Sequence, residues 1–267
     1  MRKAVMYLLL ALGITLVVLF AGGAAVGFAA GGADGYNEAV PDTTSPLCMM
    51  TYSGAIMVVA LCAILHWVFL RWGFAKYSLG RIPREKRWQV AVWLMLAMGG
   101  LALLSCVVYN PLAEPDGTPL TEPDRLVRDF YLWMKARPLY SVVLIAFVEA
   151  TGNLIIYGAV LREILEWRHR PQTIIPIFAA IMALISIVMG NAVLAMVSMV
   201  MVLIEAWTYE CTRSIIPVIA GDIFYWIVFL LLVGTTFSAW YYFLACMIIL
   251  PSALLLIKTM DPFKPID

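Results

Sequence analysis

The residues best suited to chemistry lie along one stripe of an apolar run near the middle of the chain. The stripe consists of Glu149, Gly152, Asn153 and Tyr157. Their spacing of three or four residues places them on one face of a helix. A carboxyl group buried in such a run can act as a general acid or base, can relay a proton, or can bind a polar group on a neighbouring helix.

A second polar stripe follows later in the chain and consists of Asp222, Tyr225 and Trp226. Carboxyl groups are costly to bury within a membrane, so they usually face the interior of a helix bundle and find partners there. We therefore expect the two stripes to face a shared polar cavity. The residues predicted to line it are Glu149, Asn153, Tyr157, Asn191, Asp222 and Tyr225.

Two interpretations of this cavity stay open. In one, the polar residues form interhelical hydrogen bonds that hold the bundle together. In the other, they form a ligand pocket, or a relocated acid pair at Glu149 and Asp222 with chemistry of its own. Another acid, Glu205, lies near the end of its apolar run with Glu210 and Arg213 close by. We expect Glu205 at the membrane interface rather than in the cavity.

The elements that must position these residues are membrane-spanning helices. Of the 267 residues, 63% are hydrophobic and 13% are charged, and the mean hydropathy is +0.92. These values lie outside the range of soluble domains. Because a hydrocarbon core of about 30 Å needs roughly 20 apolar residues per helix, the sequence predicts a single all-α membrane domain, residues 1–267, with about eight transmembrane helices. The predicted spans are 4–30, 47–70, 88–109, 139–161, 173–190, 192–209, 214–234 and 237–258.

The loop charges predict the orientation of the chain. Most of the 18 Lys and Arg residues fall on one side if the N-terminus is inside, and Lys and Arg are retained on the cytoplasmic side. Both termini are then cytoplasmic, and a bacterial cytoplasmic (inner) membrane is the expected location. The basic loop 71–87 is expected to rest against anionic lipid headgroups, with a protein-docking surface as the alternative. Nucleic acid is not an expected partner.

Two further segments carry predictions about packing. Gly23, Gly27 and Gly31 recur at four-residue spacing, which allows close approach of a neighbouring helix, either within the bundle or in a partner. The segment 121–136 has an N-terminal capping pattern and apolar residues at helical spacing. We expect it to form an amphipathic helix in the outer interface, either lying passively on the bilayer or covering a cavity.

Three short motifs occur in order along 139–230. The first is the run GNLIIYG, with Gly152, Asn153, Tyr157 and Gly158. The second is the run from Ile187 to Asn191. The third pairs Ser214 and Pro217 with the later residues Gly221 and Tyr225.

These motifs resemble those of the CPBP family, the CAAX proteases and bacteriocin-processing enzymes, which are eight-helix intramembrane proteases. The resemblance implies that Gly152 and Asn153 stand in place of a glutamate pair, Tyr157 in place of an arginine, and Asn191 and Gly221 in place of histidines. It also implies that Tyr225 stands in place of an asparagine. In active members, glutamate activates water while histidine and asparagine polarise the scissile carbonyl. Since no side chain at these positions can act as a base near neutral pH, we expect family proteolysis to be abolished.

The function expected from this pattern is that of a non-catalytic relative that binds, scaffolds or assists another membrane protein or a lipid-like ligand. An enzyme that uses Glu149 and Asp222 as a relocated carboxylate pair is the alternative. A small transporter or proton pathway is a third possibility. No metal or cofactor is predicted, because the chain has two histidines, His66 and His169, and five cysteines without close-paired spacing. His66 is expected to form hydrogen bonds within the bundle.

Overall fold

The computed structural model describes residues 2–29, 52–77, 83–109, 128, 131–168, 170–188, 192–238 and 240–260. These residues are helical apart from short connections and contain no β-strand, which confirms the predicted all-α class. The helices in chain order are α1 (Arg2–Ala29), α2 (Tyr52–Arg71), α3 (Arg84–Val108), α4 (Pro138–Ile155), a π-helical segment (Ile156–Leu161), α5 (Arg162–Arg168), α6 (Pro171–Val188), α7 (Ala192–Thr212), α8 (Ile216–Leu232) and α9 (Trp240–Met260).

Three helices within the described ranges are long and apolar enough to cross a membrane. They occupy Glu85–Val108, Pro138–Trp167 and Trp240–Met260. Large apolar side chains also cover the outside of the bundle, and Leu139, Met196 and Leu231 are 84%, 74% and 69% exposed. Exposed apolar surface on this scale suits contact with lipid. Helix length, composition and surface together indicate a membrane protein.

Each of the eight predicted apolar runs overlaps a helix in the part of the chain that the structure describes. The helix ends differ from the predicted ends by a few residues, because an apolar run and a helix need not stop at the same residue. The largest difference is at 139–161, where α4, the π-helical segment and α5 form one continuous rod that extends to Arg168. How many of the eight cross a membrane belongs to the proposal below.

The predicted interfacial helix is described only in part. Residues 131–136 are helical, whereas 121–127, 129 and 130 lie outside the described residues. Lys135 Nζ donates to the carbonyl oxygen of Val233 at 2.6 Å, and Met134 is buried. The described part is therefore docked on the end of α8 and does not rest on the bilayer alone.

The helices of the bundle approach most closely at glycines of α3. A Cβ atom at Gly99 would lie 2.8 Å from Phe224 Cε1 on α8, and one at Gly100 would lie 2.7 Å from Ile249 Cγ1 on α9. Both contacts require a residue without a side chain. The structure does not describe the surroundings of Gly23, Gly27 and Gly31, so their role in helix packing stays a prediction.

Two hydrophobic cores hold the bundle together, and α7 and α8 contribute to both of them. The first core joins α1 and α2 to the rod of α4 and α5 and to α6. Its largest fully buried side chains are Phe69, Leu154, Leu161, Leu165, Ile175 and Ile215. The second core joins α3 to α9, with Leu94, Met98, Leu101, Leu256 and Met260 fully buried.

Candidate functional site: a buried carboxyl cluster

Three helices bring polar side chains together inside the bundle, and we call this group the carboxyl cluster. Its members are Glu149, Asn153 and Tyr157 from the α4 rod, Glu205 from α7, and Asp222 and Trp226 from α8. Asp222 and Glu205 are almost fully enclosed, at 1% and 2% exposure. Glu149 is partly exposed and lies at the rim of the cluster.

Each carboxyl group in the cluster has a donor on a different helix. Asn153 Nδ2 donates to Asp222 Oδ2 at 2.5 Å, and Tyr157 OH donates to Glu205 Oε2 at 2.6 Å. Trp226 Nε1 donates to Glu149 Oε1 at 2.7 Å. These bonds tie α4, α7 and α8 together, as the structural interpretation of the two stripes predicts.

The carboxyl groups of Glu205 and Asp222 are close neighbours inside the cluster. Glu205 Oε1 and Asp222 Oδ1 are buried, and neither has a hydrogen-bond donor in the described part of the chain. Two carboxylate oxygens cannot bond to each other unless one of them carries a proton. A proton shared by the pair would supply the missing donor, and it would remove one negative charge from a poorly solvated interior.

A π-helical segment sets the direction of Tyr157. The backbone N–H of Arg162 points to the carbonyl of Tyr157, five residues back, as well as to that of Ala159. The wider π turn rotates the residues after Ile156 relative to those before it, so Tyr157 reaches α7 while Asn153 reaches α8. Single π turns inside α-helices are rare and are frequently found at functional sites.

Two residues predicted for the shared cavity are not part of these bonds. Tyr225 OH donates to Ser105 Oγ at 2.8 Å, which links α8 to α3 and not to α4. Asn191 lies outside the described residues, so its placement in the cavity stays a prediction.

The expectation that Glu205 is interfacial was wrong. Its side chain is enclosed between α7, α8 and the π-helical segment, where Tyr157 binds it. Glu210 and Arg213, the neighbours that suggested the interface, bind each other at 2.6 Å instead. The signal that could have found Glu205 is its position, since it lies more than one turn before the end of α7 at Thr212.

The glycines of the first and third motifs lie in different surroundings. A Cβ atom at Gly221 would lie 3.1 Å from Leu94 Cγ and 3.2 Å from Met98 Cγ, both on α3. A Cβ atom at Gly152 would meet nothing within 4 Å. Position 221 thus faces an apolar helix packed against it, and position 152 faces open space.

His66 forms hydrogen bonds with both ring nitrogens, as the sequence predicts. Thr151 Oγ1 donates a hydrogen bond to the carbonyl oxygen of Phe147 at 2.7 Å. Its hydrogen is therefore engaged, so His66 Nδ1 is the donor in the 2.9 Å hydrogen bond with Thr151 Oγ1. In this tautomer His66 Nε2 accepts a hydrogen bond from Tyr77 OH. Burial raises the pKa of Tyr77, which keeps this hydroxyl protonated and able to donate.

The cluster offers little for hydrolysis and more for holding a proton. A general base must reach a water molecule, yet Asp222 and Glu205 are enclosed and already bound. Glu149 and Asp222, the predicted relocated pair, each bind a different neutral donor. Within the described ranges, no group of three or more His, Cys, Asp or Glu side chains is arranged to hold a metal ion.

Comparison of the chain with protein-family models, curated proteins and solved structures gave no match.

Proposed function

We propose that this chain is a non-catalytic membrane protein that acts as a binding, scaffold or accessory subunit. Its architecture is proposed to be a bundle of eight transmembrane helices that resembles the CPBP proteases. The observation that carries the proposal is the closed carboxyl cluster, in which every carboxyl group is bound by a side chain from another helix. Such a cluster stiffens a bundle and encloses two of its three carboxyl groups, Glu205 and Asp222, away from water.

The packing at Gly221 supports the same proposal. An imidazole there would meet Leu94 and Met98, which are both fully buried. The position that resembles a catalytic histidine thus lacks the side chain, and a side chain there would require Leu94 and Met98 to shift by a few tenths of an ångström.

Proteolysis assays test the absence of catalysis. We expect the purified full-length chain in nanodiscs to cleave fluorogenic transmembrane peptides no faster than protein-free nanodiscs. Glu149→Gln and Asp222→Asn should give the same background. Cleavage by the native chain that either substitution abolishes would overturn the proposal and favour the relocated-carboxylate enzyme.

The proposed role as a binding, scaffold or accessory subunit is tested by the mass of the complex that the chain forms in its native membranes. We expect mild detergent to release the tagged chain as a discrete complex heavier than the purified chain on native gels. Migration at the mass of the purified chain alone, across several mild detergents, would contradict a role as scaffold or accessory subunit.

A proton pathway is a second candidate, and the neighbouring, donor-free oxygens of Glu205 and Asp222 favour it. Glu149 at the rim and this pair in the interior form a row of three carboxyl groups, and such rows occur in proton relays. A continuous path would still need a second exit on the far side of the pair.

Proton flux into vesicles tests this candidate. If the pathway exists, the native chain should acidify pH-dye-loaded liposomes under an imposed potential, and Glu205→Gln should abolish the flux. The matched control is Glu166→Gln, since Glu166 is 56% exposed and lies outside the cluster. Equal flux through native chain, Glu205→Gln and empty liposomes would remove the candidate.

A further inference from the structure

An apolar groove opens between α6, α7 and α9, with a volume of about 290 Å³. Its walls include Ile175 and Pro176 of α6, Ile204 and Trp207 of α7, and Ala253 and Leu256 of α9. None of these residues forms the carboxyl cluster, so the groove is a separate feature.

Two exposed cations lie close in sequence to residues that line one end of the groove. Gln172 at the start of α6 and Met260 at the end of α9 both line the groove, so these two helix ends lie together. Arg170 comes just before α6, and Lys258 lies in the last turn of α9. Both side chains are exposed. The nearest described acid along the chain, Glu166, is paired with Arg162 at 3.6 Å.

The lining of the groove indicates the chemistry of its occupant. A flexible hydrocarbon chain fits the apolar walls, and Gln172 supplies a polar group at the mouth. Trp207 is a residue type that favours the level of lipid headgroups.

We propose that this groove binds one anionic phospholipid. An acyl chain lies between α6, α7 and α9, and the phosphate is held near Arg170 and Lys258. These two cations lie at the end of the bundle that the loop charges predict to face the cytoplasm, where anionic lipids are concentrated. The site does not depend on the proposed scaffold function, because it uses none of the cluster residues.

Native mass spectrometry of the full-length chain tests the site. The chain is released from nanodiscs that contain equal amounts of dioleoyl phosphatidylglycerol and dioleoyl phosphatidylcholine. We expect one retained lipid, with a preference for phosphatidylglycerol of roughly tenfold or more, because each Lys or Arg near the surface adds attraction. Arg170→Gln combined with Lys258→Gln should bring the preference close to equality while a lipid is still retained.

Two tryptophan variants, one that fills the groove and one that does not, distinguish a lipid bound in this groove from lipids around the rest of the protein. Ala253→Trp places an indole in the groove and should remove the retained lipid. Leu254→Trp is the matched control, since Leu254 is 65% exposed and does not line the groove. It should leave retention unchanged. Should Ala253→Trp fail to fold, Ile257→Trp at another lining position serves instead.

Three results would overturn the proposal. They are equal retention by the two tryptophan variants, no preference between the lipids in the native chain, or a preference that survives loss of both cations. None of them bears on the cleavage assay or on the mass of the native complex, so this site and the proposed function fail separately.

Discussion

Replacing Glu205 with alanine is expected to destabilise the protein by on the order of 3 kcal/mol. The substitution leaves Tyr157 OH without an acceptor, and it removes the carboxyl group that could share a proton with Asp222. It also opens a cavity between α7 and α8, because the native side chain is 2% exposed. Thermal unfolding of the purified protein in detergent, followed by tryptophan fluorescence, measures the loss.

Glutamine at position 205 is the informative control. The amide side chain of Glu205→Gln can accept a hydrogen bond from Tyr157 and donate one to Asp222. It therefore mimics the protonated form of glutamate. We expect Glu205→Gln to stay within about 1 kcal/mol of the native protein. A loss as large as that of Glu205→Ala would contradict a shared proton between Glu205 and Asp222.

Introducing histidine at position 221 is expected to destabilise the protein by about 3 kcal/mol, from overpacking together with burial of a polar ring. The nearest atoms are Leu94 Cγ, Leu94 Cδ2 and Met98 Cγ, at 3.1 to 3.3 Å from a Cβ atom. These atoms belong to fully buried side chains of α3, which would have to shift by a few tenths of an ångström. The midpoint of thermal unfolding and the yield of folded protein report the effect.

Gly152→His is the matched variant, because it makes the same chemical change where a Cβ atom meets open space. Both substitutions gain similar helix propensity relative to glycine, so that contribution cancels between them. We expect Gly152→His to unfold within about 1 kcal/mol of the native protein. Equal stability of the two variants would show that position 221 has room for an imidazole, which would strengthen its correspondence to a catalytic histidine.

The two predictions also separate the functional hypotheses. A cluster that tolerates Glu205→Gln needs its hydrogen bonds and not its charge, which suits a structural or scaffold role. The proton-pathway candidate requires the titratable group itself, so it predicts normal folding and lost flux for the same variant. Because both hypotheses predict a folded Glu205→Gln variant, the proton flux through the native chain and through this variant decides between them.

The positions of the helices could be predicted from the sequence, because they depend on local properties. An apolar run of about 20 residues is helical wherever lipid or protein surrounds it, since its backbone groups must bond internally. The same local periodicity placed Glu149 and Asn153 on one face of α4, and the structure joins that face to Asp222 and Trp226 of α8.

The tertiary structure alone decided which residues complete the cluster. Glu205 could be assigned to the interior only once α7 was packed against the π-helical segment, because the face of a nearly uniform apolar helix that turns inward depends on its neighbours. The π turn that aims Tyr157 has no sequence signal that we recognised. The close packing of Gly221 against Leu94 and Met98 is likewise visible only in the tertiary structure. Sequence periodicity thus determined the polar faces of α4 and α8, whereas the partner that each face meets is a long-range property fixed by how the helices pack.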